Sequence, residues 1–191
     1  GYEVVVRGYN DIQWRNASEP SLPEDVFQGN GVDAVGIATG NNIYGTWRKP
    51  GTPGYPYVVT GDIGTNNSTT TIEPGVIVKM VAGAHWIIDA SNNLTSVLSA
   101  VGTVTDSIVF TALTDDGYGG DTNKDGTLTE PAPGYWNEIW IRGNEADATT
   151  LRYCVVRYGG AASVGNIYCQ NSNGISRPTI RECRIELGST G

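Results

Sequence analysis

Leu151-Arg152-Tyr153-Cys154-Val155-Val156-Arg157-Tyr158-Gly159 can be laid on Ile180-Arg181-Glu182-Cys183-Arg184-Ile185-Glu186-Leu187-Gly188 at an offset of 29. Aliphatic meets aliphatic, cysteine meets cysteine and glycine meets glycine. A second match, Ile139-Trp140-Ile141 with Ile167-Tyr168-Cys169, has an offset of 28. Short strand-like segments recurring at one period cannot bury their apolar faces alone; they must stack on their own repeats. This periodicity constrains the chain more than any other feature.

The expected fold is therefore all-β, a right-handed parallel β-helix. Further short apolar runs lie upstream, bounded by Gly, Asn, Asp or Thr: Tyr57–Thr60, Val76–Met80, Trp86–Ile88, Ser96–Ala100 and Ser107–Thr111. No sustained 3.6-residue period is present, so helices should be nearly absent. The runs thread onto two ladders, Val78–Leu98–Ile139–Ile167 and Ile88–Ile108–Leu151–Ile180. Steps of 41 and 43 cross the middle of both ladders, an excess of about 13 over the downstream period. One acidic Gly/Asp-rich insertion, 113–134, accounts for it. The first step, Val78 to Leu98, is only 20, which predicts tighter early coils.

Residues 1–45 read as an irregular N-terminal cap, flap or strand-exchange segment, and 46–191 as the β-helix. Glu3–Arg7 is a candidate strand that could pair with a neighbour's sheet edge. Pro20–Gln28 could hold one helical turn with Ser21 as its N-cap. The last residues, Glu186–Gly191, stop at a turn without a cap. A continuing chain or a second copy is expected on that open end, giving a homo-polymer in the second case.

The net charge is −8, and no basic stripe is present, which excludes nucleic acid as an expected partner. No apolar stretch approaches the ~18 residues of a membrane span. The three cysteines fit no zinc spacing. Cys154 and Cys183 share a repeat position and read as buried free thiols, with a disulfide or a reactive thiol as the alternative. Glycosylation sequons start at Asn16, Asn66, Asn67 and Asn93.

Asp121-Thr122-Asn123-Lys124-Asp125-Gly126-Thr127-Leu128 carries the strongest chemical signal. It has the D-x-N-x-D-G pattern of the first half of an EF-hand-type loop. Side-chain oxygens of Asp121, Asn123 and Asp125 and the Thr127 carbonyl can surround a hard cation, and Gly126 permits the sharp turn. The twelfth position is Ala132, so Glu130, Asp115 or Asp116 would complete the set. The expected cofactor is a structural Ca2+; the competing reading is a set of Asx-turns.

Catalytic candidates are fewer. His85 is the only histidine, and a packed or turn-facing role is expected of it. Asp115-Asp116 could form half of a carboxylate pair. If Ile139 and Ile141 point inward, Trp140 and Tyr168 stack outward, where they could take a sugar ring or a partner segment. Arg157 over Glu186 and Arg152 over Arg181 are the expected outward pairs nearby.

Tyr57–Ile63, Thr71–Met80, Ser107–Thr111, Asp115-Asp116, Gly119–Gly126, Trp136 and Leu151–Gly160, in that order and spacing, resemble secreted right-handed parallel β-helix proteins of bacteria and archaea. The resemblance covers about residues 46–188. It implies an extracellular or cell-surface protein, and its superfamily includes pectate-lyase-like polysaccharide enzymes. Arg177-Pro178-Thr179-Ile180-Arg181 is similar to the Arg-x-Pro-x-x-Arg motif of those lyases but lacks the residue between Arg and Pro. Two functions are thus expected. The first is a non-enzymatic surface module (rod, sheath, adhesin or filament subunit) stiffened by stacking and Ca2+. The second is a polysaccharide-active or glycan-binding module.

Overall fold

A computed structural model describes residues 2–6, 32–50, 54–91, 95–143, 146–161, 164–170 and 177–189. Pro20–Gln28, Asn16 and Asn93 lie outside them.

The described chain is all-strand. Its elements are β1 (Tyr2–Val6), β2 (Val32–Ile37), β3 (Asn41–Asn42), β4 (Gly45–Trp47), β5 (Tyr57–Val59), β6 (Ile63–Asn66), β7 (Thr69–Ile72), β8 (Ile77–Met80) and β9 (Trp86–Ala90). They continue as β10 (Val97–Val101), β11 (Ile108–Ala112), β12 (Ile139–Gly143), β13 (Thr150–Arg152), β14 (Cys154–Arg157), β15 (Ile167–Gln170), β16 (Thr179–Arg181) and β17 (Arg184–Glu186). Three parallel sheets form. Sheet A has the order β1-β2-β5-β8-β11-β14-β17, sheet B β15-β12-β9-β6-β3, and sheet C β16-β13-β10-β7-β4. From β2 onward each sheet takes every third strand, so each successive triplet gives one strand to each sheet. The arrangement is compatible with a β-helix-like solenoid.

Downstream, the expected register is the observed one. Ile139 pairs with Ile167, Leu151 with Ile180 and Val156 with Ile185. Upstream, both ladders require correction. Val78 lies between Tyr57 and Phe110, Leu98 pairs with Thr70, and Ile88 pairs with Ile141. Ile108 pairs with Cys154. The physical reason is a turn hidden inside the repeat. Tyr153 and Glu182 adopt φ of +49° and +56°, a left-handed conformation that is rare for bulky residues. It breaks each nine-residue run into two strands belonging to different sheets. Three faces therefore exist where two ladders were expected. The early spacing is indeed tighter: Tyr57 pairs with Val78, and Gly45 with Thr70.

The repeat glycines have a steric cause. Asn166 sits between Gly159 and Gly188, accepting from the Gly159 N–H at 2.7 Å and donating to Glu186 O at 3.1 Å. A Cβ at Gly188 would lie 2.6 Å from Asn166 Nδ2, and one at Gly159 would lie 2.9 Å from Oδ1. Only glycine leaves room for this bridging amide.

The core is a column of inward side chains from all three sheets, among them Ile37, Trp47, Ile72, Val78, Trp86, Leu98, Phe110, Ile139, Leu151 and Val156. Alternation is clean in β9 and β12, where Trp86, Ile88, Ile139 and Ile141 are buried and the residues between them are half-buried.

Candidate functional site: an acidic loop strapped across one sheet

The segment between β11 and β12 folds back over the outer face of sheet A. Its first fastening is Asp115, which is buried. Asp115 accepts from the Thr111 hydroxyl and the Gly117 N–H and lies 3.4 Å from Arg157 Nε. Lys79 is the second. It is outward-facing in β8 yet fully covered, and its ammonium donates to Gly120 O at 2.7 Å. At the third, Arg184 donates to the Tyr118 hydroxyl, and the Arg157 guanidinium stands 5.5 Å from the Tyr118 ring centroid. One loop thus ties together β8, β11, β14 and β17.

The electrostatics follow from this crowding. Burial pushes the Lys79 ammonium down to about 8, against the pull of Asp116, Asp115 and Asp121. Asp116 is pushed above the usual carboxylate range by desolvation and by the Asp121, Asp125 and Asp115 charges, with Lys79 opposing. The loop is therefore not purely self-repelling, because cations lie beneath it. The sequence marks Lys79 as an outward charge within the apolar run Val76–Met80.

Within the Asp121–Leu128 loop, Asp121 Oδ1 accepts from the Asp125 N–H at 3.1 Å, and Oδ2 from the Gly126 N–H at 2.9 Å. Asn123 Nδ2 donates to Asp125 Oδ2 at 2.8 Å and to Thr129 Oγ1 at 3.1 Å. Lys124 and Gly126 take φ of +54° and +70°, so the loop is tightly wound. Asn123 Oδ1 and Asp125 Oδ1 are shielded from water and have no hydrogen-bond partner among the described residues. Two such oxygens inside one loop are costly unless something positive meets them. A carboxylate oxygen and an amide oxygen are both donor types that a hard cation takes. Thr127 and Glu130 are exposed, and Asp115 is committed to Arg157. Among the described residues no three His, Cys, Asp or Glu side chains converge as a metal set, so amide and main-chain oxygens would have to share the coordination.

A second feature occupies the outer face of sheet B. Trp140 and Tyr168, paired in register, stack with centroids 6.1 Å apart and planes 28° apart. The Arg142 guanidinium lies 4.7 Å from the Trp140 ring centroid and 2.5 Å from Asp89. Two columns result. One is Gly64, Ile87, Trp140, Tyr168; the other is Asn66, Asp89, Arg142, Gln170. Toward the early strands the face opens into a shallow groove of about 280 Å³ lined by Asn42, Asp62, Asn66, Ile87, Asp89 and Arg142.

His85 is a corner residue between sheets A and B. Its Nδ1 is 2.9 Å from Asp62 Oδ1, and its Nε2 is 3.6 Å from Glu138 Oε1. Asp62, His85 and Glu138 each precede a sheet-B strand, so the three groups stack. Burial raises the Glu138 carboxyl above its ordinary range, opposed by His85. Arg152 faces Arg181 in register, as expected, but its charge is met by Glu182 at 2.5 Å. Arg157 reaches Glu186 at 3.5 Å. Arg177 precedes β16 and Arg181 ends it, and the Arg177 N–H donates to Asp147 at 2.6 Å.

No family model, curated protein or solved structure matches this chain.

Proposed function

We propose that this chain is a right-handed parallel β-helix serving as a structural module outside the cell or at its surface, with the Asp121–Leu128 loop holding a Ca2+ that locks the strap onto sheet A. Strand–crossover–parallel-strand connections are overwhelmingly right-handed, which supports the handedness. The continuous inner column supports a stiffening role, because each triplet gains its stability from its neighbours. The observation that carries the reading is the pair of buried oxygens, Asn123 Oδ1 and Asp125 Oδ1, that have no hydrogen-bond partner among the described residues, in a segment fastened at three points to the sheet beneath it. Half-exposed Ile185 lies in the final sheet-A strand and half-exposed Leu187 follows it, a surface suited to a second copy or to further chain.

The test is thermal unfolding in EDTA against saturating CaCl2. At a hundred-fold excess over Kd, binding to the folded state alone adds about 2.7 kcal/mol. For a chain of this size that raises Tm by roughly 5–10 °C. An Asn123→Ala/Asp125→Ala double variant should show no such rise. Superimposable wild-type melting curves in the two buffers would remove the cation from the proposal.

The Trp140–Tyr168 stack supports a second reading, a glycan-binding face on sheet B. Sugar rings stack on aromatic faces, and the adjacent Asp89–Arg142–Gln170 column supplies hydroxyl partners. Retardation in gels cast with soluble polysaccharides should be weakened about ten-fold by Trp140→Ala, consistent with ~1.5 kcal/mol of aromatic contact. Unretarded wild-type protein across neutral and uronate polymers would discard this reading. Growth of ultraviolet absorbance from unsaturated uronides would instead indicate lyase chemistry.

A further inference from the structure

Cys154 opens β14 and Cys183, one repeat later, immediately precedes β17, strands that pair in parallel from Val155 with Arg184 onward. Each follows a residue held in the left-handed conformation, Tyr153 or Glu182, so the two turns present their thiols in the same way. Both point toward the core: Cys154 is buried within it, and half-buried Cys183 packs against it. Neighbouring positions on paired strands are about 4.7–4.9 Å apart, within the Cα separation that a disulfide accepts. The thiols already interact. Each perturbs the other, the neighbouring sulfur and burial raising the Cys154 thiol while Cys154 holds the Cys183 thiol down. Each sulfur also lies within hydrogen-bond reach of main-chain carbonyls, Ala100 O at 3.4 Å for Cys154 and Arg181 O at 3.2 Å for Cys183. Cys169 differs. It lies exposed in β15, on another sheet.

We propose that Cys154 and Cys183 form a thiol–disulfide exchange site that closes a covalent staple between consecutive repeats, with Cys183 as the attacking thiol and a small disulfide as oxidant. In the first step the Cys183 thiolate attacks one sulfur of R–S–S–R. The S–S bond of that reagent breaks, a Cys183–S–S–R bond forms, and one R–S⁻ departs. In the second, Cys154 gives up its proton and attacks the Cys183 sulfur, forming the Cys154–Cys183 bond and expelling the second R–S⁻. The protein dithiol is oxidised by two electrons, the external disulfide is reduced to two thiols, and the protein protons end on those thiols or in water. The half-buried position of Cys183 and its low thiol range both favour it as the entry point.

The experiment uses the full chain with Cys169→Ser, incubated at pH 7.5 with oxidised glutathione and quenched in acid. Expected is a mass lower by about 2 Da with no glutathione adduct, loss of both titratable thiols, and a Tm higher by roughly 5–10 °C that dithiothreitol reverses. Adding Cys154→Ser should trap a glutathione adduct on Cys183, whereas adding Cys183→Ser should leave Cys154 largely unmodified. Two free thiols after prolonged incubation would overturn the proposal, as would a doubly glutathionylated product without an internal bond. Equal adduct formation on either single-thiol variant would overturn the assignment of Cys183 as the attacking group.

Discussion

Replacing Trp86 by alanine is expected to cost about 3–5 kcal/mol of folding free energy. Trp86 projects inward from sheet B and is fully buried. Its ring centroid is 5.1 Å from that of Trp47 in sheet C and 5.8 Å from that of Phe110 in sheet A, the latter edge-on at 73°. Trp47 in turn lies 4.7 Å from Tyr57. The four rings come from all three sheets and from successive triplets of the stack, so removing the Trp86 ring opens a cavity that no single sheet can close. The indole also donates to Thr65 Oγ1 at 3.2 Å, and Thr65 shares a hydrogen bond with Thr70, which donates to Ile43 O. Losing that donor adds about 1 kcal/mol. Urea unfolding of Trp86→Ala and Trp86→Phe measures the effect; phenylalanine should recover about half of the loss. The outward Trp140→Ala change should cost under about 1 kcal/mol, because its stack with Tyr168 is half-exposed. A Trp86→Ala loss no larger than that of Trp140→Ala would contradict the idea of a load shared among three sheets.

The same residues show how much of the fold is legible in the amino-acid sequence. Trp86, Ile88, Ile139 and Ile141 alternate with polar or outward residues, so inward and outward faces can be read from the chain, including the outward Trp140–Tyr168 pair. The register of the last repeats is legible because Leu151–Gly159 and Ile180–Gly188 have equal length and matching character. The third sheet is not, because nothing in an apolar run announces that a tyrosine or a glutamate will take positive φ. Tyr153 and Glu182 do so through tertiary context. Without that turn, Val78 and Leu98 fall on the wrong neighbours. The calcium-type spacing of Asp121, Asn123 and Asp125 is plain from local sequence. Its attachment to sheet A is not, since Lys79 and Arg184 lie far along the chain from the loop they hold. Asp115 reads in sequence as a spare ligand, yet the Arg157 that engages it belongs to the next triplet.

Lys79 links this strap to pH. Its ammonium is lowered from 10.5 to about 8 by burial, so folding favours the neutral amine. Between about pH 8 and 10.5 the unfolded chain carries a proton at this site that the folded chain has released. Stability contributed by the group therefore rises with pH across that window and is absent below it. The shift corresponds to about 3 kcal/mol at most. Wild type should gain this amount on Lys79→Met between pH 7 and 10.5, read as the difference between their urea unfolding free energies, with groups common to both cancelling. A flat difference would mean that the amine remains solvated beneath Gly120. The Ca2+ proposal adds a reciprocal consequence. A divalent ion in the Asp121 loop and a proton on Lys79 compete for the same carboxylate field, so each weakens the other by the same factor. Calcium affinity should accordingly strengthen as pH rises through 8 in the wild type and stay nearly constant in Lys79→Met. Isothermal titration at pH 7 and pH 9 separates the two ideas. A pH-dependent stability difference without any heat of calcium binding would retain the buried amine and remove the cation. Calcium binding with equal affinity at both pH values would retain the cation and place it beyond the reach of Lys79.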